Sequence, residues 1–391
     1  MSNVIVAGVE MIKFQKPGKQ APYRVMASEA IVGAVKDAGI DEKLIEQAYA
    51  SYVYGDSTGG QHALYDAFMT GIPVINVNNN CSSGSTALFL ARQAVESGAV
   101  ECALAFGFEE MSPGALKSHW DDRESPFDSF LSVLDKLDYP PAPLALRCFG
   151  AAGDYYLKKY DADPSLFAKV SVKTRNHAKN NPYALFNADL SEDQVLSDKV
   201  LYMDYLTRTM CCPPTCGAAA AIVCSKSFAK KHGISHGVTI AGQAMTTDKV
   251  DTWEDPIALV GAGMTSRAAE MVYNQSGVDV KDVDVVELHD CFTVNEVLTY
   301  EALGLCGEGE ATAFVDAGDN TYGGAFVVNP SGGLMSKGHP LGATGLAQCY
   351  ELVTQLRGKA DKRQVENARF ALQHNLGLGG AAVVTLYQKD S

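Results

Sequence analysis

The sequence has no surplus of basic charge, no long apolar run and no repeated cysteine spacing, and each absence narrows what it can be. Lys and Arg number 32 against 46 Asp and Glu, a formal charge of −14 with a pI near 5.0. Nucleic acid and anionic membranes are recognised by basic surfaces, so neither is expected as a partner. No stretch approaches the ~18 consecutive apolar residues of a membrane span. No basic-then-apolar leader occupies Met1–Gln20, and the closing KDS is not a peroxisomal SKL-like tripeptide. A reducing, cytoplasmic setting is therefore expected, with the ten cysteines as free thiols. Only Cys211, Cys212 and Cys216 crowd together, without a partnering CxxC or HxxxH. No metal site is expected from that spacing.

What remains is ordinary globular material. The 391 residues are 47% hydrophobic and 20% charged, which excludes a disordered or collagen-like chain. At roughly 150 residues per domain, two or three domains are expected. The 36 glycines point to many tight turns and close backbone approaches.

The chain also resembles itself. AGVEM at Ala7 matches AGQAM at Ala241, and AGIDEKLIE at Ala38 matches SGVDVKDVD at Ser276. CSSGSTAL at Cys81 matches HPLGATGL at His339, and GAAAAIVCS at Gly217 matches GAAVVTLYQ at Gly380. The offsets run 234, 238, 258 and then 163. The second copy thus has about 20 extra residues before His339, and the first about 95 before Gly217. That insertion is rich in Tyr, Pro and Asp and reads as a lid or loop domain. The expected organisation is an N-terminal half over 1–111 and 206–235, an insertion over 112–205 and a C-terminal half over 236–391.

Within each half, short apolar β-branched runs alternate with amphipathic stretches. NVIVAG, AYASYVYG, ECALAFGF and AAAIVC read as strands in the first half. VTIAGQ, VDVVEL, RFALQH and AAVVTLY do so in the second. Helices are predicted at Tyr23–Asp37, Ser85–Ser97, Ser266–Gln275 and Ala343–Arg357. This is an α/β chain whose sheets are covered on both faces, stacking into α/β/α/β/α layers.

Four segments carry chemistry. Cys81 lies where the polar NNN turn gives way to an apolar helix, and a helix N-terminus favours a thiolate. The bland alternative is a buried structural cysteine. His339, the duplicate's counterpart of Cys81, opens a second helix on GHPLGATG. If the halves pack about a pseudo-twofold axis, Cys and His meet as an activated nucleophile pair; a core histidine is the alternative. The third segment is ELHDCF, with His289, Asp290 and Cys291 beyond a strand's carboxyl end, where ligands gather in open α/β sheets. The fourth is HNLGLGG, whose glycines let backbone N–H groups approach a ligand.

NNNCSSGS, HDCF and SKGHPLGATG, in this order, resemble the thiolase superfamily, and more narrowly its sterol carrier protein X type. YGDSTGGQ, CCPP, GDNTYGG and HNLGLGG extend the resemblance over essentially the whole chain. It implies the thiolase fold of two duplicated βαβαβαββ halves with a loop-domain insertion, and a dimer. It also implies thiolytic cleavage of 3-oxoacyl-CoA, or the reverse Claisen condensation. Cys81 would accept the acyl group and His339 take its proton. Cys291 would replace the second catalytic cysteine that most thiolases carry on a Cys-x-Gly loop. His289 with His339 would hold the enolate oxygen, and the Cys81 N–H with that of Gly377 the tetrahedral oxyanion. One departure is Cys216 before Gly217, where relatives of this pattern have Asp.

CoA enters as a substrate, with no tightly bound cofactor expected. Its phosphates need cations, and 158–179 holds Lys158, Lys159, Lys169, Lys173, Arg175 and Lys179 against Asp161 and Asp163. Lys173, Arg175 and Lys179 are the candidates for the nucleotide, a solvated helix face being the alternative. The rival functions are a retro-aldolase of the same fold, which needs no cysteine nucleophile, and a non-catalytic acyl-CoA or lipid binder.

Overall fold

A computed structural model describes residues 3–112 and 122–390. Residues 113–121, where the expected insertion begins, lie outside the described residues. The strands are β1 (Val4–Met11), β2 (Gln47–Ser51), β3 (Val74–Val77), β4 (Cys102–Glu109), β5 (Val200–Tyr202) and β6 (Leu206–Thr207). They continue with β7 (Gly217–Ser225), β8 (Val238–Thr246), β9 (Val285–Glu287), β10 (Val327–Val328), β11 (Phe370–Gly377) and β12 (Ala381–Lys389). β5 and β6 pair only with each other.

The rest form one sheet in the order β10-β9-β11-β12-β8-β1-β7-β4-β2-β3. Read outward from its middle, β1-β7-β4-β2-β3 and β8-β12-β11-β9-β10 are the same five-strand pattern. In each, two antiparallel pairings are followed by two parallel ones. The duplication is therefore the architecture. One detail is new: the halves are joined edge to edge, through Ile5 with Thr239 and Val6 with Val238. Each half also has the fifth strand of the βαβαβαββ pattern, the short edge strand β3 or β10, which the apolar runs alone did not show. Strands of four and two residues are too short for period-2 patterning to reveal.

Alternation along the strands sorts the layers. Val4, Val6, Ala103, Ala105, Val285 and Ala371 face a shared core with two central helices, Ser83–Glu96 and Thr344–Leu356. Those helices contribute Leu88, Ala91, Leu346 and Leu352, and each fully buried leucine is worth ~1.5–3 kcal/mol. Ile5, Ala7, Leu104 and Phe106 face outward onto helix Tyr23–Ala38. Leu372, Val384 and Leu386 face outward onto helix Ala262–Ser276. The layers are α/β/α/β/α.

The matched letters of the two copies do matching work. Gly39 and Gly277 end these outer helices in the left-handed region, each at φ 70°. A side chain there would be strained, so glycine stands in both copies. Asp41 and Asp279 then cap the next turns, accepting from the Lys43 and Lys281 N–H at 2.9 and 3.0 Å.

The insertion departs from its loop-like composition. Between β4 and β5 run helices Asp128–Lys136, Leu144–Tyr160, Ser165–Ala178 and Glu192–Leu196. Phe149, Tyr156, Phe167 and Val170 pack into one core with Leu288, Val297 and Tyr300 of the second half. The Phe149 and Phe292 rings stack at 5.0 Å. Among the described residues, no helix is long and apolar enough to cross a membrane.

Candidate active site

The two central helices meet at their N-termini, and glycines make the approach possible. A methyl on Gly345 would come within 2.1 Å of Ser85 Oγ, and one on Gly84 within 2.9 Å of Gly342 O. Cys81 heads one helix and His339 precedes the other. His289 reaches the same point from beyond the carboxyl end of β9. One ligand-type atom from each of Cys81, His289 and His339 lies within 4.8 Å of the others.

The NNN turn that presents Cys81 is tied by its own serines. Ser82 Oγ donates to Asn79 O at 2.8 Å, and Ser83 Oγ to Asn80 O at 2.6 Å. Asn80 sits at φ 51° and donates through Nδ2 to Leu378 O at 3.0 Å, tying the turn to the loop after β11. A Cβ on Gly377 would lie 2.2 Å from Asn79 O, so only glycine lets β11 pass. Gly379, two residues on, faces Phe127 instead.

The helix N-terminus does not ionise the resting thiol, contrary to the expectation from sequence. Burial, then the neighbouring Glu109 carboxylate, push the Cys81 thiol up to about 12. Desolvation outweighs the macrodipole, whose effect on such a group is of order 1 kcal/mol. Glu109 is itself buried at the end of β4, and burial lifts it to about 7 although it accepts from the Tyr54, Gly342 and Val53 N–H groups. Cys81 is thus a neutral thiol that needs a base.

His339 presents a free lone pair beside it. Its Nδ1 is 2.7 Å from Thr344 Oγ1, and the Thr344 hydroxyl donates to Pro340 O at 2.9 Å. The hydroxyl proton is therefore committed, Nδ1–H donates to Oγ1, and Nε2 keeps its lone pair. Among the described residues, Nε2 is buried without a hydrogen-bond partner. Burial holds this imidazole down to about 3, so it is neutral.

His289 is set the opposite way. Asn375 Nδ2 donates to its Nδ1 at 2.9 Å, leaving the proton on Nε2. Burial, then His339 and His374, keep it well below the ordinary histidine range. The two rings meet edge to face at 5.0 Å. One nitrogen is a bare acceptor and the other a donor.

Cys291 is buried beneath them, and its thiol is raised by burial, by Cys212 and by Cys81. Asp290 points away, accepting from the Leu334 and Met335 N–H groups and so pinning the segment before His339. Cys216, the departure from the family pattern, is buried packing beside Met111 at the start of β7, its sulfur 3.1 Å from the Met111 nitrogen.

With this geometry in place, comparison with known proteins decides the family. The N-terminal domain model of thiolases matches residues 4–201, and the C-terminal domain-like model matches 242–388. The chain belongs to the thiolase family. It is 53% identical to sterol carrier protein 2 of Oryctolagus cuniculus, over 99% of this chain and 72% of that protein. Two solved structures share the thiolase fold at low identity. An Ltp2-ChsH2(DUF35) aldolase has a TM-score of 0.83 at 21% identity, covering 99% of this chain and 98% of that one. Human mitochondrial 3-ketoacyl-CoA thiolase in complex with CoA has 0.76 at 16%, with the same coverage.

The cations expected to meet CoA need revision in this chain. Lys173 is buried and ion-paired to Glu296, with Val328 O a further acceptor at 3.2 Å. Its charge is taken up by Glu296 and holds the insertion to the second half. Lys158, Lys159, Lys169 and Lys179 pair with Asp154, Glu308, Asp316 and Asp189. All of these carboxylates lie outside the stretch 158–179, so a local charge count could not find them. Of the six, Arg175 alone has no carboxylate partner among the described residues. It donates to Ser336 Oγ at 3.1 Å and lies over the Phe186 ring.

Three site residues escaped the sequence reading. Asn375 and Thr344 set the histidine tautomers, and Cys212 is a third thiol beside Cys81 and Cys291. HNLGLGG and GATG had drawn attention through their glycines, and Cys212 through a dismissed zinc motif. No local signal marked the polar residues beside those glycines.

Proposed function

We propose that the chain is a catalytically active thiolase, transferring an acyl group between Cys81 and CoA in the cleavage of 3-oxoacyl-CoA or its reverse. The observation that carries this is the bare, buried Nε2 of His339 beside a neutral Cys81 thiol. His339 takes the thiol proton as the sulfur attacks the 3-oxo carbon, and becomes an imidazolium whose Nε2–H is a donor. That donor and the His289 Nε2–H then stabilise the enolate oxygen of the departing acetyl- or propionyl-CoA. Cys291 delivers the proton to its α-carbon. The Cys81 and Gly377 N–H groups hold the tetrahedral oxyanion; the CoA thiol then takes the acyl group, giving its proton to the Cys291 thiolate, while the His339 imidazolium returns its proton to the departing Cys81 sulfur. Arg175 is the remaining candidate for the nucleotide phosphates, with Lys179 beside it. Substrates are straight, 2-methyl-branched or sterol-derived 3-oxoacyl-CoAs in the cytoplasm.

The organisation expected from sequence, two halves with an insertion over 112–205, carries over as part of this reading. So does a homodimer. β3 ends the sheet with Val74 and Ile75 half-exposed, and an open apolar edge of this kind invites pairing with a second copy.

Measuring kcat/KM for CoA-dependent cleavage across the three substrate classes tests the activity. Thiolysis that Cys81→Ser abolishes supports it. Cleavage of a hydroxyacyl-CoA that survives Cys81→Ser supports the retro-aldolase instead.

A further inference from the structure

We propose that the Cys81–His289–His339 cluster is also a reversible site for a soft divalent cation, zinc by its donor set, and that zinc and an acyl group exclude each other at Cys81. The exclusion rests on Cys81 being the acyl acceptor, as proposed above; the zinc site rests on geometry alone. A thiol and two imidazoles converge within 4.8 Å, the mixed sulfur and nitrogen set that zinc favours. Bonds of ~2.3 Å to sulfur and ~2.0 Å to nitrogen place neighbouring ligands roughly 3.5 Å apart. The cluster must therefore contract by about an ångström. A turn of the Cys81 side chain provides this, since the contact of its sulfur to Asn80 Oδ1 is a long one, at 3.6 Å.

The rings carry the outer partners that metal-bound histidines have. His339 Nδ1–H already donates to Thr344, and its buried Nε2 is unpartnered and directed at the cluster. His289 needs its lone pair on Nε2 instead of its proton. Asn375 Oδ1 is buried without a partner. Half a turn of that amide lets Oδ1 accept from His289 Nδ1–H and frees Nε2 for the ion. The balance is simple: the Cys81 S–H bond is replaced by S–Zn, and the proton leaves to solvent. The His289 proton moves from Nε2 to Nδ1, and no redox change occurs. Cys81 is partly exposed, which gives the ion a route and leaves a fourth position to water. Neighbour spacing along the chain could not reveal this site, because its ligands come from three distant segments.

Untagged, acyl-free chain titrated with Co²⁺ tests the proposal through the thiolate-to-cobalt charge-transfer band. One ion should bind per chain, be displaced by Zn²⁺, and release protons. Cys81→Ser should abolish the band, and Thr344→Val should weaken binding about 10- to 100-fold. Cys291→Ser should retain it. Acetylation of the wild-type chain by acetyl-CoA should remove the band, and added CoA restore it. No band in the wild-type chain, or one that survives Cys81→Ser, overturns the site. A band unchanged in a chain whose Cys81 is acetylated overturns the exclusion. A chain that accepts no acetyl group contradicts the function proposed above, while its cobalt band still decides the metal site.

Discussion

The turn before Cys81 and the turn before His339 are the same frame carrying different loads. In the first half the Thr86 hydroxyl donates to Ser82 O at 3.0 Å; in the second, Thr344 donates to Pro340 O at 2.9 Å. Each threonine oxygen then accepts one further bond. Thr86 takes Asn79 Nδ2 at 3.1 Å and so steadies the turn that presents the thiol. Thr344 takes His339 Nδ1 and so fixes which nitrogen is the base. The two copies supply equivalent helix starts that face each other, with Cys81 in one at the position that His339 holds in the other, the arrangement on which the proposed nucleophile and base rest. The Cys81–His339 juxtaposition is built between the two copies, not within either.

That comparison can be broken at several points. Cys81→Ser and His339→Asn should each lower kcat for thiolysis about 10³-fold or more, without loss of folding by circular dichroism. The thiol, held at about 12, should be protonated throughout the neutral range. Its thiolate fraction then rises about tenfold per pH unit, so alkylation by iodoacetamide should accelerate about a thousandfold from pH 7 to 10. A plateau near neutrality would mean a preformed thiolate–imidazolium pair. Lys173→Met should cost about 3–5 kcal/mol in denaturant unfolding, because it strands Glu296 in the core between the insertion and the second half. The two facing glycines should differ. Gly345→Ala is expected to cost about 1–3 kcal/mol and Gly84→Ala less, following the tighter approach at Gly345. Arg175→Glu should raise the KM for CoA severalfold, and cost about 1 kcal/mol in stability through the lost bond to Ser336. Equal effects at the two glycines, or an unchanged KM, would weaken the respective assignments.

Most of the fold was legible because the duplicated letters have local duties. Gly39 and Gly277 need a left-handed φ, and Asp41 and Asp279 cap the turns that follow, so these matches survive in the sequence. Cys81, His289, Cys291 and His339 could be nominated because each sits in a turn or at a strand end of recognisable composition. What stayed hidden depends on distant partners. The charge of Lys173 is consumed by Glu296, 123 residues away, and Asn375 acts on His289 across 86 residues. The helices inside the insertion were not legible, because its Tyr and Pro content says little about segments that fold against a borrowed core. The depth of burial that keeps Cys81 neutral is likewise a property of the assembled halves, and a helix N-terminus alone pointed the other way.

The most direct measurement is peptide-level mass spectrometry of the chain after brief incubation with acetyl-CoA. One acetyl group should appear on Cys81, vanish on addition of free CoA, and fail to form in His339→Asn on the same timescale. No acetylation, or acetylation confined to Cys212 or Cys291, would contradict the assignment of Cys81 as the acyl-accepting nucleophile.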